Sequence, residues 1–438
     1  MAEAPAAMLA VLEAPGVKGR EVLRLAPPRD TANEKDAVTS LIRRIVAAPG
    51  NDHPPVTSAF NVLDIGKVAE LFAAWRHGLK GVTPYYAVKC NPNPALLGVL
   101  SALGSGFDCA SPAEMDAVLA LGNVSPDRIV YANPCKPESH ITYAASLGVN
   151  VTTFDSVEEV GKMKRFHPTC KLLLRLKVSG AGGEAVLDLG TKYGAREEDV
   201  APLLCAARDA GMQVCGVAFH VGCKVSRVGV YDDALKAARE VFDAAVVLGL
   251  PPMRILDIGG GFTAAAGGLF EDACGVINAA LARHFGDIMH GDGVEVIGEP
   301  GRYFAETPFT LAARVFGKRT HGHGQEVREY WIDDGIYGTL SCVVNVYKYK
   351  PRPVPVVAAA PADDGSGDRG GGETTHLSTV FGPTLDSLDV VVQGYPLPEL
   401  RIGDWLVFHD VGAYTTVMSC NFNGFSATEM KTYLASSV

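Results

Sequence analysis

The feature that most constrains the fold of this chain is a regular alternation of short apolar runs with amphipathic stretches between about residues 60 and 310. The runs have the length and unbroken apolar character of strands covered on both faces. They are TPYYAV (83–88), RIVYA (128–132), VNVTTF (149–154), KLLLRL (171–176), QVCGVAF (213–219), RILDIG (254–259) and VEVIGE (294–299). Apolar residues recur at helical spacing between them. Seven or eight such βα units favour a closed (β/α)₈ barrel, although periodicity alone leaves an open doubly wound sheet as an alternative.

The pattern changes after about residue 308, where β-rich segments such as FTLAARVFGKR and DWLVFHDVG follow one another. We therefore predict an α/β chain with a barrel at residues 56–308 and a C-terminal β-rich domain, a β-barrel or sandwich, at 309–438. Residues 1–55 are predicted to be a variable extension that contributes to the β domain. The Pro-, Ala- and Gly-rich stretch 351–375 is predicted to be an exposed, mobile loop.

Composition excludes several classes of protein. The 438 residues exceed one ordinary domain, and 47% apolar with 20% charged residues is the profile of a globular protein. A formal charge of −10 makes a nucleic-acid partner a poor expectation. The chain lacks a run of about 18 apolar residues and a basic leader, which predicts no membrane segment and a cytoplasmic location. Its ten cysteines show no metal-ligand spacing and are expected to be reduced, and no metal site is predicted.

Four strand ends carry residues that could take part in catalysis or bind a ligand. Lys89 follows the apolar YYAV run, where partial desolvation would lower its pKa and favour the neutral amine that forms a Schiff base with a carbonyl. His220 ends the QVCGVAF strand and could stack on a flat heteroaromatic ring. The glycines of GGGF (259–262) could approach a phosphate. In GEPGRYF (298–304), Glu299 could face a pyridine nitrogen and Arg302 a phosphate.

Each of these features also has an ordinary structural explanation. Lys89 could lie with its stem along apolar surface, and the glycines could form a tight βα turn. Glu299 and Arg302 could be a surface ion pair, and His220 a buried histidine with its hydrogen bonds satisfied. A barrel that carries all four at the carboxyl ends of its strands nevertheless holds the groups that a pyridoxal phosphate site requires.

A family resemblance extends from about residue 59 to the C-terminus. The chain resembles the barrel-type, fold-type III pyridoxal phosphate decarboxylases that act on basic amino acids, and most closely the eukaryotic ornithine decarboxylases, especially those of plants. Ordered motifs carry the resemblance: YAVKCNP (86–92), FDCAS (107–111), YANPCK (131–136), TFDS (153–156), KYG (192–194), FHVG (219–222), GGGF, GEPGRYF, DDGIYG (333–338), GPTLDSLD (382–389) and GAYT (412–415).

The resemblance implies a role for each matching position. Lys89 is implied to carry the cofactor, His220 to stack on its ring, and Glu299 to keep the ring nitrogen protonated. The implied cofactor-binding residues are Lys89, Asp108, Arg175, His220, Cys223, Gly260, Gly261, Glu299, Pro300, Gly301, Arg302 and Tyr414. Asp386 is implied to reach the distal amine of the substrate from a partner subunit, with Tyr337 also at the substrate. The implied assembly is a homodimer with shared active sites.

Three positions depart from the family pattern. Leu385 stands where relatives carry the cysteine that protonates the α-carbon after decarboxylation. Asn345 and Val346 stand where a Tyr-Asp pair would meet the distal substrate ammonium, and Cys223 replaces a phosphate-binding hydroxyl with a weaker donor. The leading expectation is decarboxylation of L-ornithine to putrescine and CO2. The alternatives are a decarboxylase of lysine or arginine, and a catalytically weak paralogue that regulates an active partner.

Overall fold

The computed structural model describes residues 3–26, 34–47, 56–178, 185–187, 189–225, 227–265, 268–289, 293–321, 327–344, 349–357, 374–427 and 429–437. The chain divides into two compact units. The barrel unit comprises Met1–Lys18 and Val68–Ala305, and the β unit comprises Gly19–Lys67 and Glu306–Val438.

The helices and strands alternate through the barrel unit, and strands dominate the β unit. The helices are α1 (Glu3–Leu12), α2 (Glu34–Ala47), α3 (Ile65–Gly78), α4 (Pro94–Leu103), α5 (Pro112–Leu119), α6 (Glu138–Leu147), α7 (Val157–Phe166), α8 (Glu197–Asp209), α9 (Val230–Val247), α10 (Leu269–Phe285) and α11 (Arg302–Ala305). Of the helices that the structure describes, none combines the length and apolar character needed to cross a membrane.

The strands are β1 (Val22–Arg24), β2 (Phe60–Asp64), β3 (Val82–Ala87), β4 (Gly106–Cys109), β5 (Ile129–Tyr131), β6 (Val151–Phe154), β7 (Lys171–Leu176), β8 (Ala185–Leu187), β9 (Gln213–Phe219), β10 (Cys223–Val225), β11 (Ile255–Asp257), β12 (Glu295–Gly298), β13 (Phe309–His321), β14 (Val327–Ile332), β15 (Val354–Val356), β16 (Thr375–Phe381), β17 (Val390–Pro398), β18 (Trp405–Phe408) and β19 (Lys431–Ser436).

Eight parallel strands close into a barrel in the order β11-β12-β3-β4-β5-β6-β7-β9. The predicted (β/α)₈ barrel is therefore confirmed, and each of the seven apolar runs forms one of its strands. The remaining strand, β4, is the four-residue segment GFDC, which is too short and too polar to stand out as an apolar run. The barrel interior is filled by one cluster of apolar side chains, which contains Tyr85, Val130, Ala132, Val151, Leu173, Cys215, Ala218, Ile255 and Ile297.

The β unit is built on a sheet whose main path runs β1-β19-β2-β13-β14-β16-β17, with β18 paired to β13 and β15 paired to β18. The predicted C-terminal β-rich domain is thus confirmed in its fold class. Its boundaries in the chain differ from the predicted ones, because β2 pairs with β13 and β19 and brings residues 60–64 into this unit. At the other end, α1 packs against α4 and so belongs to the barrel unit.

The predicted mobile loop at 351–375 is wrong in its first part. Strand β15 lies within it and pairs antiparallel with β18, with Val356 opposite Trp405. The alternating apolar residues of PVPVV allow this pairing even though two prolines interrupt the segment. Residues 358–373 lie outside the described part of the chain.

A close approach of backbone fixes α1 to the barrel unit. A Cβ atom on Gly98 of α4 would lie only 1.7 Å from the Pro15 carbonyl oxygen. Adding a methyl group there forces the two segments apart, which in a packed interior costs about 1–3 kcal/mol. The N-terminal helix can therefore dock only because residue 98 has no side chain.

We expect Gly98→Ala to lower the free energy of unfolding by about 2 kcal/mol. Gly275→Ala is the matched control, because Gly275 also lies inside a helix and no heavy atom lies within 4 Å of a Cβ built there. That control should stabilise the protein by about 0.5–1 kcal/mol, the usual gain from replacing a helical glycine. Urea denaturation measures both, and equal midpoints for the two variants would contradict the proposed contact.

Candidate active site at the carboxyl end of the barrel

The inward-facing positions of the barrel change from apolar to charged at the carboxyl ends of the strands. Because side chains alternate along a strand, a residue two places beyond an inward one also faces inward. Arg175, Asp257 and Glu299 each stand two places beyond an apolar residue of the interior cluster. All three are buried. The barrel therefore ends in a layer of charged side chains, at the face where barrel enzymes bind their substrates.

Lys89 and Asp108 form an ion pair in this layer. Lys89 lies in the 3-10 turn Val88–Cys90 directly after β3, and Asp108 lies near the end of β4 opposite the inward-facing Val130. The Lys89 Nζ is 2.5 Å from the Asp108 Oδ2. The Asp108 side chain is fully buried, whereas 44% of the Lys89 side chain is exposed. The amine is therefore held by a buried carboxylate and remains accessible from the open end of the barrel.

The pKa of Lys89 is raised, although the sequence predicts a lowered pKa from desolvation. Burial does act in that direction, but the charges of Asp108 and Glu299 outweigh it and raise the pKa above its usual value. Glu114, on α5, adds to the same effect. The carboxylates lie far from Lys89 in sequence, so the apolar run before the lysine gave no sign of them. The amine is thus stabilised as an ammonium in the protein without cofactor.

Glu299 and Asp257 form a second buried pair. The Glu299 N–H donates to the Gly259 carbonyl oxygen (2.7 Å), and the Gly259 N–H donates to the Asp257 Oδ1 (2.9 Å). Burial raises the pKa of both carboxyl groups; the charge of Glu299 adds to the shift at Asp257, and that of Asp108 to the shift at Glu299. Within the described residues, the Glu299 Oε1 has no hydrogen-bond partner. A buried carboxylate oxygen is therefore available to a cationic N–H group at the barrel end.

His220 follows β9, and its half-buried side chain lies beside the glycine corner. Its Nδ1 accepts a hydrogen bond from the Gly222 N–H (3.0 Å), so the neutral ring carries its hydrogen on Nε2. Burial, together with the positive charges of Arg175 and Lys89, lowers its pKa well below the usual value. A Cβ on Gly260 would lie 3.0 Å from the His220 Nε2. The histidine is therefore a neutral, flat ring packed against backbone.

The glycine corner between β11 and α10 packs closely against neighbouring backbone. Gly261 has φ +103, and a Cβ there would lie 2.5 Å from the Gly222 carbonyl oxygen. Both the backbone conformation and the space thus require glycine. Pro300 and Gly301 form the turn before α11, whose first residue is Arg302. Cys223 lies in β10, and its side chain is outside the described set.

The remaining predicted site residues lie in the β unit. The Tyr337 hydroxyl donates to the Asp386 Oδ2, and this bond lowers the pKa of Asp386. Asp389 ties the two loops together, since its Oδ1 accepts from the Ile336 N–H (3.0 Å) and its Oδ2 from the Thr384 N–H (3.1 Å). Tyr337 and Asp386 are therefore brought together, as expected of two residues at one substrate group.

Leu385 is next to Asp386 and is 91% exposed. Its N–H donates to the Asn423 Oδ1 (2.8 Å), which fixes the loop backbone. Tyr414 has φ +55, an unusual conformation for a tyrosine that holds it in a tight turn. Asn345 and Val346 lie outside the described residues. The predicted substrate side of the site is thus described at Tyr337 and Asp386 alone.

Asp257 is a buried residue of the site that no motif in the sequence predicts. Its signal was present, because an aspartate stands inside the otherwise apolar run RILDIG, where an unpaired charge would be costly. Its partner Glu299 belongs to another strand, and only the closed barrel brings the two together. In the described part of the chain, no three His, Cys, Asp or Glu side chains group as a metal site.

Comparisons with known proteins agree on one family. The family model described as pyridoxal-dependent decarboxylase, pyridoxal binding domain, matches residues 65–306. The chain is 47% identical to the chloroplastic ornithine decarboxylase of Nicotiana glutinosa over 92% of this chain and 89% of the relative. It is 40% identical to the ornithine decarboxylase of Saccharomyces cerevisiae over 87% of this chain and 82% of the relative. Among solved structures, it is similar to the arginine decarboxylase of Paramecium bursaria Chlorella virus, with a TM-score of 0.79 and 36% identity over 90% of this chain and 99% of that chain.

Proposed function

This chain belongs to the pyridoxal-dependent decarboxylases, and we propose that within this family it converts L-ornithine to putrescine and CO2. One observation carries the site assignment. The accessible Lys89 amine pairs with Asp108 at the same barrel end where the Glu299 Oε1 is buried without a partner among the described residues. An amine for attachment and a carboxylate for a protonated ring nitrogen are the two groups that pyridoxal phosphate requires.

The residues present fit pyridoxal phosphate. The Glu299 Oε1 is a buried acceptor for the protonated ring nitrogen. Residues 259–261 are three successive glycines after β11, so no side chain of this corner keeps a phosphate from its backbone N–H groups. We assign Lys89 to cofactor attachment, His220 to the ring face, and Arg302 to the phosphate, with Arg175, Pro300, Gly301, Cys223 and Tyr414 as further cofactor-binding positions.

The bound cofactor supplies an electron-withdrawing ring that accepts the electron pair left when CO2 departs. The protein positions that ring and controls protons around it. Glu299 holds the proton on the ring nitrogen, because its buried carboxylate stabilises the positive charge. Asp108 keeps Lys89 at the cofactor carbon, and the neutral His220 offers a flat surface without adding a positive charge.

We assign the distal ammonium of the substrate to Asp386, with Tyr337 as its support. The hydrogen bond from Tyr337 lowers the pKa of Asp386 and so keeps it ionised at neutral pH. A carboxylate at this position suits ornithine and lysine, whose side chains end in an ammonium, and also arginine. The similarity to the ornithine decarboxylases of Nicotiana glutinosa and Saccharomyces cerevisiae supports ornithine as the first choice among the three.

The substrate test uses purified protein with pyridoxal phosphate and carboxyl-labelled ornithine, lysine and arginine. The proposal expects labelled CO2 and an equal amount of putrescine from ornithine at the highest kcat/KM. A higher kcat/KM for lysine or arginine would overturn the substrate assignment. Absence of CO2 release from all three substrates would favour the weak regulatory paralogue, which Leu385 supports because leucine has no proton to donate.

We expect the apolar Leu385 to slow the proton transfer that completes the reaction. A positioned acid contributes about 10²–10⁴-fold to such a step. The native protein should therefore turn over slowly and release a measurable fraction of aldehyde, with the cofactor left in its aminated form. Leu385→Cys should raise the putrescine yield per CO2. Stoichiometric putrescine from rapid native turnover would place the proton donor elsewhere.

We propose a homodimer in which Leu385 and Asp386 serve the partner's cofactor. Leu385 is exposed and Asp386 is half-buried on the loop, which leaves the loop accessible to another subunit. Co-expression of Lys89→Ala with Asp386→Ala chains should restore one intact site per mixed dimer, and about a quarter of native activity if the chains mix at random. No recovery from stable mixed dimers would contradict shared sites. The cytoplasmic location stays a prediction. Imaging of a fluorescent fusion can distinguish it from a plastid location.

A further inference from the structure

Besides the Glu299 Oε1 and the Asp257 Oδ2, two further inward-facing oxygen atoms at the barrel end are buried without a hydrogen-bond partner among the described residues. They are the Asp108 Oδ1 of β4 and the Thr153 Oγ1 of β6, and neither atom has a hydrogen-bond partner within the described protein. Both residues have no exposed surface. A buried polar group without a partner is destabilising, so two such groups at one place call for a shared ligand.

The strand register places Thr153 at the height of Asp108. Asp108 pairs with Val130, and Val130 pairs with Val151. Strands in an eight-stranded barrel with a shear of about eight are tilted to the barrel axis. For each strand crossed, the residue at the same height along the axis therefore lies about one position beyond the paired residue. Crossing from β4 to β6 therefore leads about two residues beyond Val151, to Thr153. Thr153 faces inward because it pairs with Leu173 of the interior cluster.

The direction of this shift has independent support. Taken in the other direction, Asp108 pairs with Ala87 of β3, and Pro84 of β3 pairs with Gly298 of β12, so one residue per strand leads back from Asp108 to Glu299. Asp108 acts electrostatically on Glu299, as expected of two residues at one height in the barrel. Thr153 thus occupies the inward position on β6 that follows Asp108 of β4 in the layer of charged side chains.

The space between the two oxygen atoms suits one water molecule. Adjacent strands are about 4.8 Å apart, so β4 and β6 lie about 9.6 Å apart, and the two side chains reduce the gap to about two hydrogen-bond lengths. The residue between them at the end of β5 is Ala132, which packs on the interior cluster with a single methyl group. A larger side chain there would fill the gap.

The backbone beneath Thr153 is held in place. The buried Lys136 Nζ donates to the Thr153 carbonyl oxygen (2.8 Å) and to the Asn133 carbonyl oxygen (2.8 Å), and it pairs with the Glu159 Oε1 at 2.9 Å. The carbonyl of Thr153 is thus fixed by a buried cation. Its hydroxyl is presented from a rigid strand end, which suits a positioning role.

We propose that Thr153 is a positioning residue for Asp108: the Thr153 Oγ1 and the Asp108 Oδ1 bind one ordered water molecule, which holds the other carboxylate oxygen of Asp108 against Lys89. The proposal rests on the assignment of Lys89 as the cofactor lysine. The water molecule satisfies both buried oxygen atoms and fixes the carboxylate that stabilises positive charge on the lysine nitrogen.

The consequence is a pH midpoint that depends on Thr153. The charged groups that face Lys89 are Asp108 on β4, Glu114 on α5 and Glu299 after β12, all of which favour the protonated lysine nitrogen. Arg175 and His220 complete the layer. If Asp108 loses its support and turns from Lys89, the largest of these favourable charges is weakened. The midpoint for loss of the proton from the lysine-bound cofactor then falls.

The test is a pH titration of the visible absorption band of the lysine-bound cofactor in the holoenzyme. Thr153→Val keeps the shape of the side chain but removes the hydroxyl, and its midpoint should fall by about one pH unit, which corresponds to the loss of one hydrogen bond to a charged group. Thr153→Ser should restore the native midpoint. Thr152→Val is the matched control with an unchanged midpoint, because the Thr152 hydroxyl donates to the Tyr131 carbonyl oxygen (2.8 Å).

Ala132→Val provides a second, independent variant, because it fills the gap and leaves the Thr153 hydroxyl intact. Its midpoint should also fall. An unchanged midpoint in Thr153→Val, or in Ala132→Val where Thr153→Val fails to fold, would overturn the proposal while the assignment of Lys89 stands. A native band that borohydride does not fix to Lys89 would instead contradict the proposed cofactor site itself, and this inference with it.

Discussion

Lys89→Ala is expected to lower kcat for decarboxylation by about 10³-fold or more, because the variant loses both the point of cofactor attachment and the amine that exchanges protons there. The loss of the ammonium also leaves Asp108 buried without its ion-pair partner. Cofactor retention should therefore weaken along with the rate. Steady-state CO2 release and absorbance of the dialysed protein measure the two effects.

Lys171→Ala is the matched control for this variant. Lys171 lies at the opposite end of the barrel, as the exposed first residue of β7. Its removal changes the net charge by the same amount without touching the layer of charged side chains. A similar loss of activity in both variants would show that net charge or stability, and not the position of Lys89, decides the rate.

Glu299→Gln is expected to lower kcat by about 10²–10³-fold, the usual cost of removing one preorganised group that stabilises charge in the reaction. Glutamine has nearly the same shape but cannot neutralise a protonated ring nitrogen. The effect should fall on kcat more than on KM, because the substrate's distal end does not reach this group in the proposed arrangement. Steady-state kinetics with ornithine separates the two parameters.

Glu295→Gln offers the control on the same strand, since Glu295 is the exposed first residue of β12. Its kinetics should match those of the native protein. If Glu299→Gln retained native kcat, the buried carboxylate would not be the partner of the ring nitrogen, and the assignment of the barrel end would need revision.

The barrel could be predicted from sequence because its strands are buried on both faces and therefore read as apolar runs. Strand β4 is the exception, because it consists of only four residues and includes Asp108. The polar residue that interrupts its apolar pattern is the one that pairs with Lys89. A functional side chain on a short strand thus removed the signal by which the strand would be recognised.

The β unit was predicted less completely because its pairing is long-range. Strand β2, near the start of the chain, pairs with β13 and β19, which both come from its C-terminal part. Nothing in residues 60–64 distinguishes such a strand from one that enters the barrel. Likewise, β15 lies in a proline-containing segment, and its strand character depends on pairing with β18.

The site residues were predicted through motifs, whereas their electrostatics were not. The pKa of Lys89 depends on charges from β4, β12 and α5, and only the closed barrel gathers these groups. Asp257 and Thr153 were missed for the same reason, because each has an ordinary neighbourhood in sequence and an unusual one in space. Sequence patterns thus identify the residue types, and barrel closure determines how they act.

Lys89 is proposed to hold pyridoxal phosphate at the barrel end formed with Asp108 and Glu299. Borohydride reduction of the native holoenzyme, followed by digestion and mass spectrometry, identifies the lysine that holds the cofactor. We expect one stoichiometric pyridoxyl adduct per chain, on the peptide that contains Lys89. A stoichiometric adduct on any other lysine, or protein that retains the cofactor without forming an adduct, would contradict it.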